Sequence, residues 1–129
     1  MPKGALIISL DFELYWGMRH KISLNYYKNN LLAARSVIPF LLKLFDEYKI
    51  HATWAIVGFL FFENRDDLIK GLPAKLPVYS NQKLSPYKDI SNIGRNEKED
   101  PFHYAPSLIK LITSYPNQEI ASHTFSHYC

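Results

Sequence analysis

Two histidines four residues apart stand in the segment His123-Thr124-Phe125-Ser126-His127, close to the last residue of the 129-residue chain. A single turn of chain brings residues i and i+4 to one side, and neutral imidazole is the commonest metal ligand. A hydrolytic metal also needs a carboxylate ligand and one coordination position open to water. The histidine pair therefore predicts part of a metal site whose carboxylate comes from elsewhere.

The candidate carboxylates are Asp11 and Glu13, which follow an apolar run at residues 4–10. A run rich in branched residues and without alternation predicts a strand buried on both faces, as in a parallel sheet. Ligands bind at the carboxyl ends of such strands in open α/β sheets and in barrels. If the backbone stays extended, the side chains of residues 11 and 13 point to one side, roughly 7 Å apart.

The next elements complete a strand–helix–strand unit. Apolar residues at helical spacing predict a helix over about residues 29–48. Pro39 lies inside it, so we expect one kinked helix, with a second helix beginning at Ser36 as the alternative. Residues 50–57 then predict a second buried strand, and this order implies parallel pairing.

The last third of the chain returns to the candidate metal ligands. Prolines and polar stretches predict an irregular excursion at about 71–104, either a solvated surface loop or a segment that covers a substrate. Residues 106–114 predict a short amphipathic helix, and residues 118–122 a third strand. The histidine pair would then follow a strand end at the same edge of the sheet as Asp11 and Glu13.

Composition limits the classes of protein. The formal net charge is +3 with scattered basic residues, so we predict no nucleic-acid partner and no basic membrane patch. The apolar run that stops at Asp11 is too short for a signal-peptide core or an integral membrane segment, which makes the cytoplasm the expected location. The single cysteine, Cys129, excludes an internal disulfide.

Three segments resemble motifs of the NodB-homology polysaccharide deacetylases, carbohydrate esterase family four. They are Ser9-Leu10-Asp11-Phe12-Glu13, the second strand with its Ala52-Thr53-Trp54 start and closing Gly58, and the segment from His123 to His127. The resemblance runs from about residue 6 to the end and covers the first half of that domain. It implies that residues 1–129 form the N-terminal part of a distorted, TIM-barrel-like (β/α) barrel. It also implies a hydrolase of carbohydrate metabolism that removes acetyl groups from N-acetylated sugars.

The resemblance also implies roles for individual residues. Glu13, His123 and His127 would bind a divalent metal, with zinc expected and cobalt, nickel, manganese or iron as alternatives. Asp11 would act as general base, and Thr124 would hold the two imidazoles in place. The usual family motif has two adjacent aspartates, whereas Phe12 occupies the second position here. The ligand role therefore passes to Glu13, with a direct bond from Asp11 to the metal as the alternative.

Aromatic residues near these motifs are candidates for substrate contact. Tyr15 and Trp16 follow the acidic pair and would either stack on a sugar ring or pack within their loop. His103 would either line the pocket or lie on the surface as an ordinary histidine.

The resemblance places the general acid and the acetyl pocket of the family beyond Cys129. We therefore expect a truncated and poorly active deacetylase, with an exposed sheet edge through which copies could associate. Two rival functions stay open. One is a related hydrolase that cleaves the C–N bond of a non-sugar amide, and the other is a fold-alike that binds metal without catalysis.

Overall fold

A three-stranded parallel sheet organises the structure, a computed structural model that describes residues 4–128. Its strands are β1 (Ser9–Phe12), β2 (Ala52–Ile56) and β3 (Gln118–Ser122), paired in that order. Residues Phe12, Ile56 and Ser122 lie in one register row at the carboxyl ends of the three strands. The predicted α/β class with parallel pairing is confirmed.

Within residues 4–128, four α-helices lie between these strands in sequence. They are α1 (Tyr15–Met18), α2 (Leu24–Glu47), α3 (Arg65–Lys70) and α4 (Pro106–Ser114). Helices α2 and α4 contact each other and cover the same face of the sheet. The core lies in this layer, where Leu42 of α2 and Ile112 of α4 are fully buried.

The other face of the sheet is open, which corrects one prediction. Along β1 the burial alternates: Phe12 is buried, whereas Ser9 and Asp11 are exposed. The expected strand at residues 4–10, buried on both faces, is wrong, because β1 begins at Ser9 and the preceding Leu6 and Ile7 are 88% and 83% exposed. Helices cover only one face, so the strand alternates as a half-buried strand does.

Helix α2 contains Pro39 within one continuous element, as predicted, but its first residue is Leu24 rather than a residue near 29. The helix starts earlier because Leu24, Tyr27 and Leu31 continue its apolar stripe at spacings of three and four residues. Ser23 occupies the N-cap position with extended backbone angles.

The later elements match their predicted bounds closely. Helix α4 and strand β3 have the predicted limits, and β2 lies inside the predicted range of 50–57. The excursion carries three short 3₁₀ turns and packs against the core through Ile90, Ile93 and Tyr104, all buried.

Within residues 4–128, none of the helices combines the length and apolarity needed to cross a membrane. Cys129, the basis of the disulfide prediction, lies outside the described residues.

Candidate metal centre

The ends of two strands bring the candidate ligands together. Glu13 directly follows β1, and His123 directly follows β3, so both leave the sheet at the same edge. The backbone N–H of His123 donates to the carbonyl of Ile56 at 2.9 Å, which extends the sheet pairing by one residue. Parallel register thus brings two residues that are 110 positions apart in sequence to the same end of the sheet.

Glu13, His123 and His127 each present one ligand atom, and these three atoms all lie within 4.8 Å of one another. The Oε2 atom of Glu13 is 3.1 Å from Nε2 of His123 and 2.9 Å from Nε2 of His127. A tetrahedral zinc ion with bonds of 2.0–2.1 Å separates its ligands by about 3.3 Å. Two imidazole nitrogens and one carboxylate oxygen are also a known catalytic zinc donor set, so these residues fit a divalent metal.

Gly17 makes room for the carboxylate of Glu13. A Cβ atom at position 17 would lie 2.0 Å from Oε1 and 2.1 Å from Cδ of Glu13, far inside contact distance. No described glycine has a positive φ, so position 17 requires glycine for space rather than for backbone freedom. Gly17 is visible in the sequence, but only the folded position of Glu13 identifies its role.

The segment that carries both histidines is held by the backbone after β2. Gly58 N–H donates to the carbonyl of Thr124 at 3.0 Å, and Phe59 N–H donates to the carbonyl of Phe125 at 2.9 Å. A Cβ on Gly58 would lie 2.8 Å from the carbonyl oxygen of Phe125. The hydroxyl of Thr124 accepts the N–H of Tyr128 at 2.9 Å and closes the segment on itself. These contacts explain the close approach of Gly58 and the local role of Thr124.

Three of the five described non-glycine residues with a positive φ lie at the same place. Leu14, Thr124 and His127 have φ values of 46°, 61° and 54°, and each is a ligand or the residue after one. Residues other than glycine rarely adopt this left-handed region of φ. Each such residue costs about 1–3 kcal/mol unless its surroundings enforce the conformation. The hydrogen bonds that the N–H groups of Gly58 and Phe59 donate to this segment supply that enforcement.

Asp11 lies beside the candidate ligands on the open face of the sheet. Its Oδ1 atom is 3.8 Å from Nδ1 of His123, beyond hydrogen-bond distance, and its side chain is 62% exposed. The carboxylate is therefore next to the His123 imidazole, on the side of its Nδ1 atom, and accessible from solvent.

The three candidates for substrate contact differ in exposure. Trp16 is fully buried, and its indole N–H donates to the carbonyl of His103 at 2.9 Å. His103 is 6% exposed and is bonded through Nδ1 to Asp100. Tyr15 is half-buried, and its hydroxyl donates to the carbonyl of Ile22 at 2.9 Å. Trp16 and His103 thus pack inside the molecule, beneath the loop that presents Glu13.

Burial of Asp100 opposes its ionisation, but hydrogen bonds from His103, Gly94 and Phe102 outweigh that effect. Together they hold the pKa of the Asp100 carboxyl below its usual value. The sequence did not reveal the Asp100–His103 pair, because Asp100 lies in a run of charged residues that is typical of a solvated surface.

His20 was also missed as a neighbour of the candidate ligands. Burial lowers the pKa of His20, and the charges of Lys21, Arg19 and His127 lower it further, while Glu13 raises it.

Comparisons of the chain with models of protein families, with curated proteins and with solved structures found no match.

Proposed function

We propose that this protein is a metal-dependent hydrolase that removes the acetyl group from an N-acetylated sugar or polysaccharide intermediate. The observation that carries the proposal is the convergence of Glu13, His123 and His127, with their ligand atoms within 4.8 Å and Asp11 beside them. The sugar as substrate class rests on the resemblance of these motifs to the polysaccharide deacetylases.

The three converging side chains would hold the ion, with zinc as the expected metal. A bound divalent ion lowers the pKa of a water molecule and polarises the acetyl carbonyl, which makes hydrolysis feasible near neutral pH. Glu13 would contribute one negative charge and the two imidazoles none, so these three ligands would leave a divalent ion with a net positive charge, which would favour a developing oxyanion.

Asp11 would accept the proton of the attacking water as general base. Its carboxylate is exposed on the open face of the sheet, where an acetylated sugar can approach it, and it is not hydrogen-bonded to His123.

The architecture that we propose for this activity is the N-terminal part of a (β/α) barrel. Consecutive strands are neighbours, helices α2 and α4 lie on one face, and the candidate centre is at the carboxyl ends of the strands. A barrel has these three properties throughout. The open face of the sheet, which carries Asp11, would then face the barrel interior.

Metal binding is the first test. Chelator-treated protein titrated with Zn²⁺ should bind about one equivalent, and His123→Ala should remove that binding. His51→Ala is the matched control, because His51 is exposed at the opposite end of the sheet and should leave binding unchanged. Substoichiometric binding that His123→Ala does not alter would contradict the metal centre.

Acetate release is the second test. Zinc-loaded protein incubated with an N-acetylglucosamine oligosaccharide should release acetate slowly, in keeping with the expected poor activity, and Asp11→Asn should stop release while metal content is retained. Asp66→Asn, an exposed carboxylate in α3, serves as control. Release only from a non-sugar N-acetyl amide would favour the rival amide hydrolase. No release from either substrate by metal-loaded protein would favour a metal-binding protein without catalysis.

A further inference from the structure

The excursion at residues 71–104 contacts both segments that carry the candidate ligands. On the Glu13 side, the carbonyls of Phe102 and His103 accept hydrogen bonds from the Tyr15 backbone and the Trp16 indole. On the histidine side, the hydroxyl of Tyr87 donates to Oγ of Ser126 at 3.0 Å. The excursion therefore bridges the two halves of the candidate centre.

Ser126 is the buried end of that bridge. It is 3% exposed and immediately precedes His127, whose φ is 54°. A hydrogen bond that fixes the Ser126 side chain also restrains the peptide unit between the two residues. It therefore opposes relaxation of His127 out of the left-handed region.

Tyr87 is itself held in place by aromatic contacts. Its ring meets Phe59 edge to face, with 5.9 Å between ring centroids, and Phe59 meets Phe125 in the same way at 5.1 Å. Phe59 N–H also donates to the carbonyl of Phe125. The Tyr87 ring thus packs on Phe59, and Phe59 also holds the histidine segment through its backbone N–H. This packing places the Tyr87 hydroxyl next to Ser126.

We propose that Tyr87 is a positioning residue for His127 and acts through the hydroxyl of Ser126. This inference rests on the metal centre of the proposed function. It gives the excursion a role in setting the geometry of a metal ligand. Tyr87 does not touch the metal. Its effect is on the orientation of an imidazole that does.

The test compares Tyr87→Phe with the unmutated protein in the metal-free state, with Zn²⁺ and with Co²⁺. Loss of the hydroxyl should weaken Zn²⁺ binding about 10-fold. This is the lower end of the loss seen when a residue that orients a metal ligand is removed. It should also shift the visible absorption bands of the Co²⁺ form, which report ligand geometry. Ser126→Ala should have the same effect, and the double variant should be no weaker than either single one, because both act through one hydrogen bond.

Two controls separate positioning from loss of stability. Tyr26→Phe removes a hydroxyl from a ring that is 80% exposed on α2 and should change neither affinity nor spectrum. Ile112→Val destabilises the core without touching the bridge, and it should leave the Co²⁺ spectrum unchanged.

Three results would overturn the inference. The first is Zn²⁺ affinity and a Co²⁺ spectrum in Tyr87→Phe equal to those of the unmutated protein. The second is an equal loss of affinity in Ile112→Val, which would show that affinity follows global stability. The third is an unmutated protein that binds no metal, and only this result would also remove the proposed metal centre.

Discussion

At the scale of single residues, Gly17 has little room for a side chain beside the candidate centre. Its hydrogen occupies space that a methyl group would share with Oε1 of Glu13, at 2.0 Å. We expect Gly17→Ala to rotate Glu13 away from the two histidines and to weaken Zn²⁺ binding by at least about 10-fold. Zn²⁺ titration of the chelator-treated variant measures this loss.

Gly17→Ala should not lower the stability of the metal-free protein by an amount comparable to its loss of zinc binding. Position 17 is in helix α1, where alanine is favoured over glycine by up to about 1 kcal/mol. Gly4→Ala is the matched control, because no atom lies within 4 Å of a Cβ there. Unchanged zinc affinity in Gly17→Ala would mean that the carboxylate position does not decide binding.

Asp100 is a second residue with a measurable consequence, this time for the pH dependence of stability. Its pKa is held below the ordinary value, so its ionised form stabilises the fold above the pKa of the unfolded chain. That contribution is lost as the pH falls through the lower folded value. We expect Asp100→Asn to cost about 2 kcal/mol at pH 7, because hydrogen bonds to a buried charged group are lost.

Urea unfolding at several pH values measures this contribution. The difference in unfolding free energy between the unmutated protein and Asp100→Asn should be full above about pH 5 and should shrink as the pH approaches 3. A difference that stays constant over this range would show that the Asp100 carboxyl has the same pKa in both states.

At the scale of elements, an ion pair from the excursion links helices α2 and α4. Glu97 pairs with Arg35 of α2 at 2.5 Å and also accepts the backbone N–H of Ser107 in the first turn of α4. The N-cap residue of α4, Ala105, makes no side-chain capping bond, so Glu97 supplies the acceptor from outside the helix. Both charged side chains are less than one-fifth exposed.

We expect Glu97→Gln to lower the free energy of unfolding by roughly 1–3 kcal/mol, because a charged hydrogen-bond acceptor is lost at a half-buried junction. Denaturant unfolding measures the change. Glu99→Gln alters the same chemistry two residues away in an exposed pair with Arg95, so it should have little effect. Equal effects of the two substitutions would show that the junction adds nothing to an ordinary surface pair.

The elements also show how far the sequence alone predicts this structure. Strand β3 and helix α4 were predicted within their observed limits, because clear turn residues and a proline mark their ends. Strand β1 was misplaced, because apolar composition does not reveal whether helices cover one face or two. The role of the charged run at residues 95–100 was also missed, because a run of charges does not reveal which of its members are buried. The burial of Asp100 and the junction at Glu97 depend on partners that lie three to 62 positions away in sequence.

At the scale of the whole molecule, parallel register is what assembles the candidate centre. The sequence predicted that Glu13 and His123 share one sheet edge, since both follow strands, and the structure brings them together there. It did not predict Gly17, Gly58 or Tyr87 as supports, because their effects depend on distances between loops. The ligands were thus visible as residue types, whereas the contacts that hold them were not.

If the proposed metal centre binds an ion, the stability of the whole molecule should depend on metal. Three strained residues adjoin or belong to the candidate ligands. An ion that binds only the folded state raises the free energy of unfolding by RT ln(1 + [Zn²⁺]/Kd). Free Zn²⁺ at 100 times its Kd should add about 2.7 kcal/mol. For a chain of this size the unfolding midpoint should rise by roughly 10 °C.

Thermal unfolding with and without Zn²⁺ measures this rise, and two isosteric substitutions locate its origin. Glu13→Gln keeps the side-chain shape but removes the charge that faces both imidazoles, so the rise should nearly disappear. Glu119→Gln removes a carboxylate that accepts a hydrogen bond from Thr53 in the sheet, away from the ligands, so the full rise should remain. If both variants kept the rise, the ion would bind elsewhere on the molecule. If only Glu13→Gln lost it, the stabilisation would belong to the centre that Glu13 forms with His123 and His127.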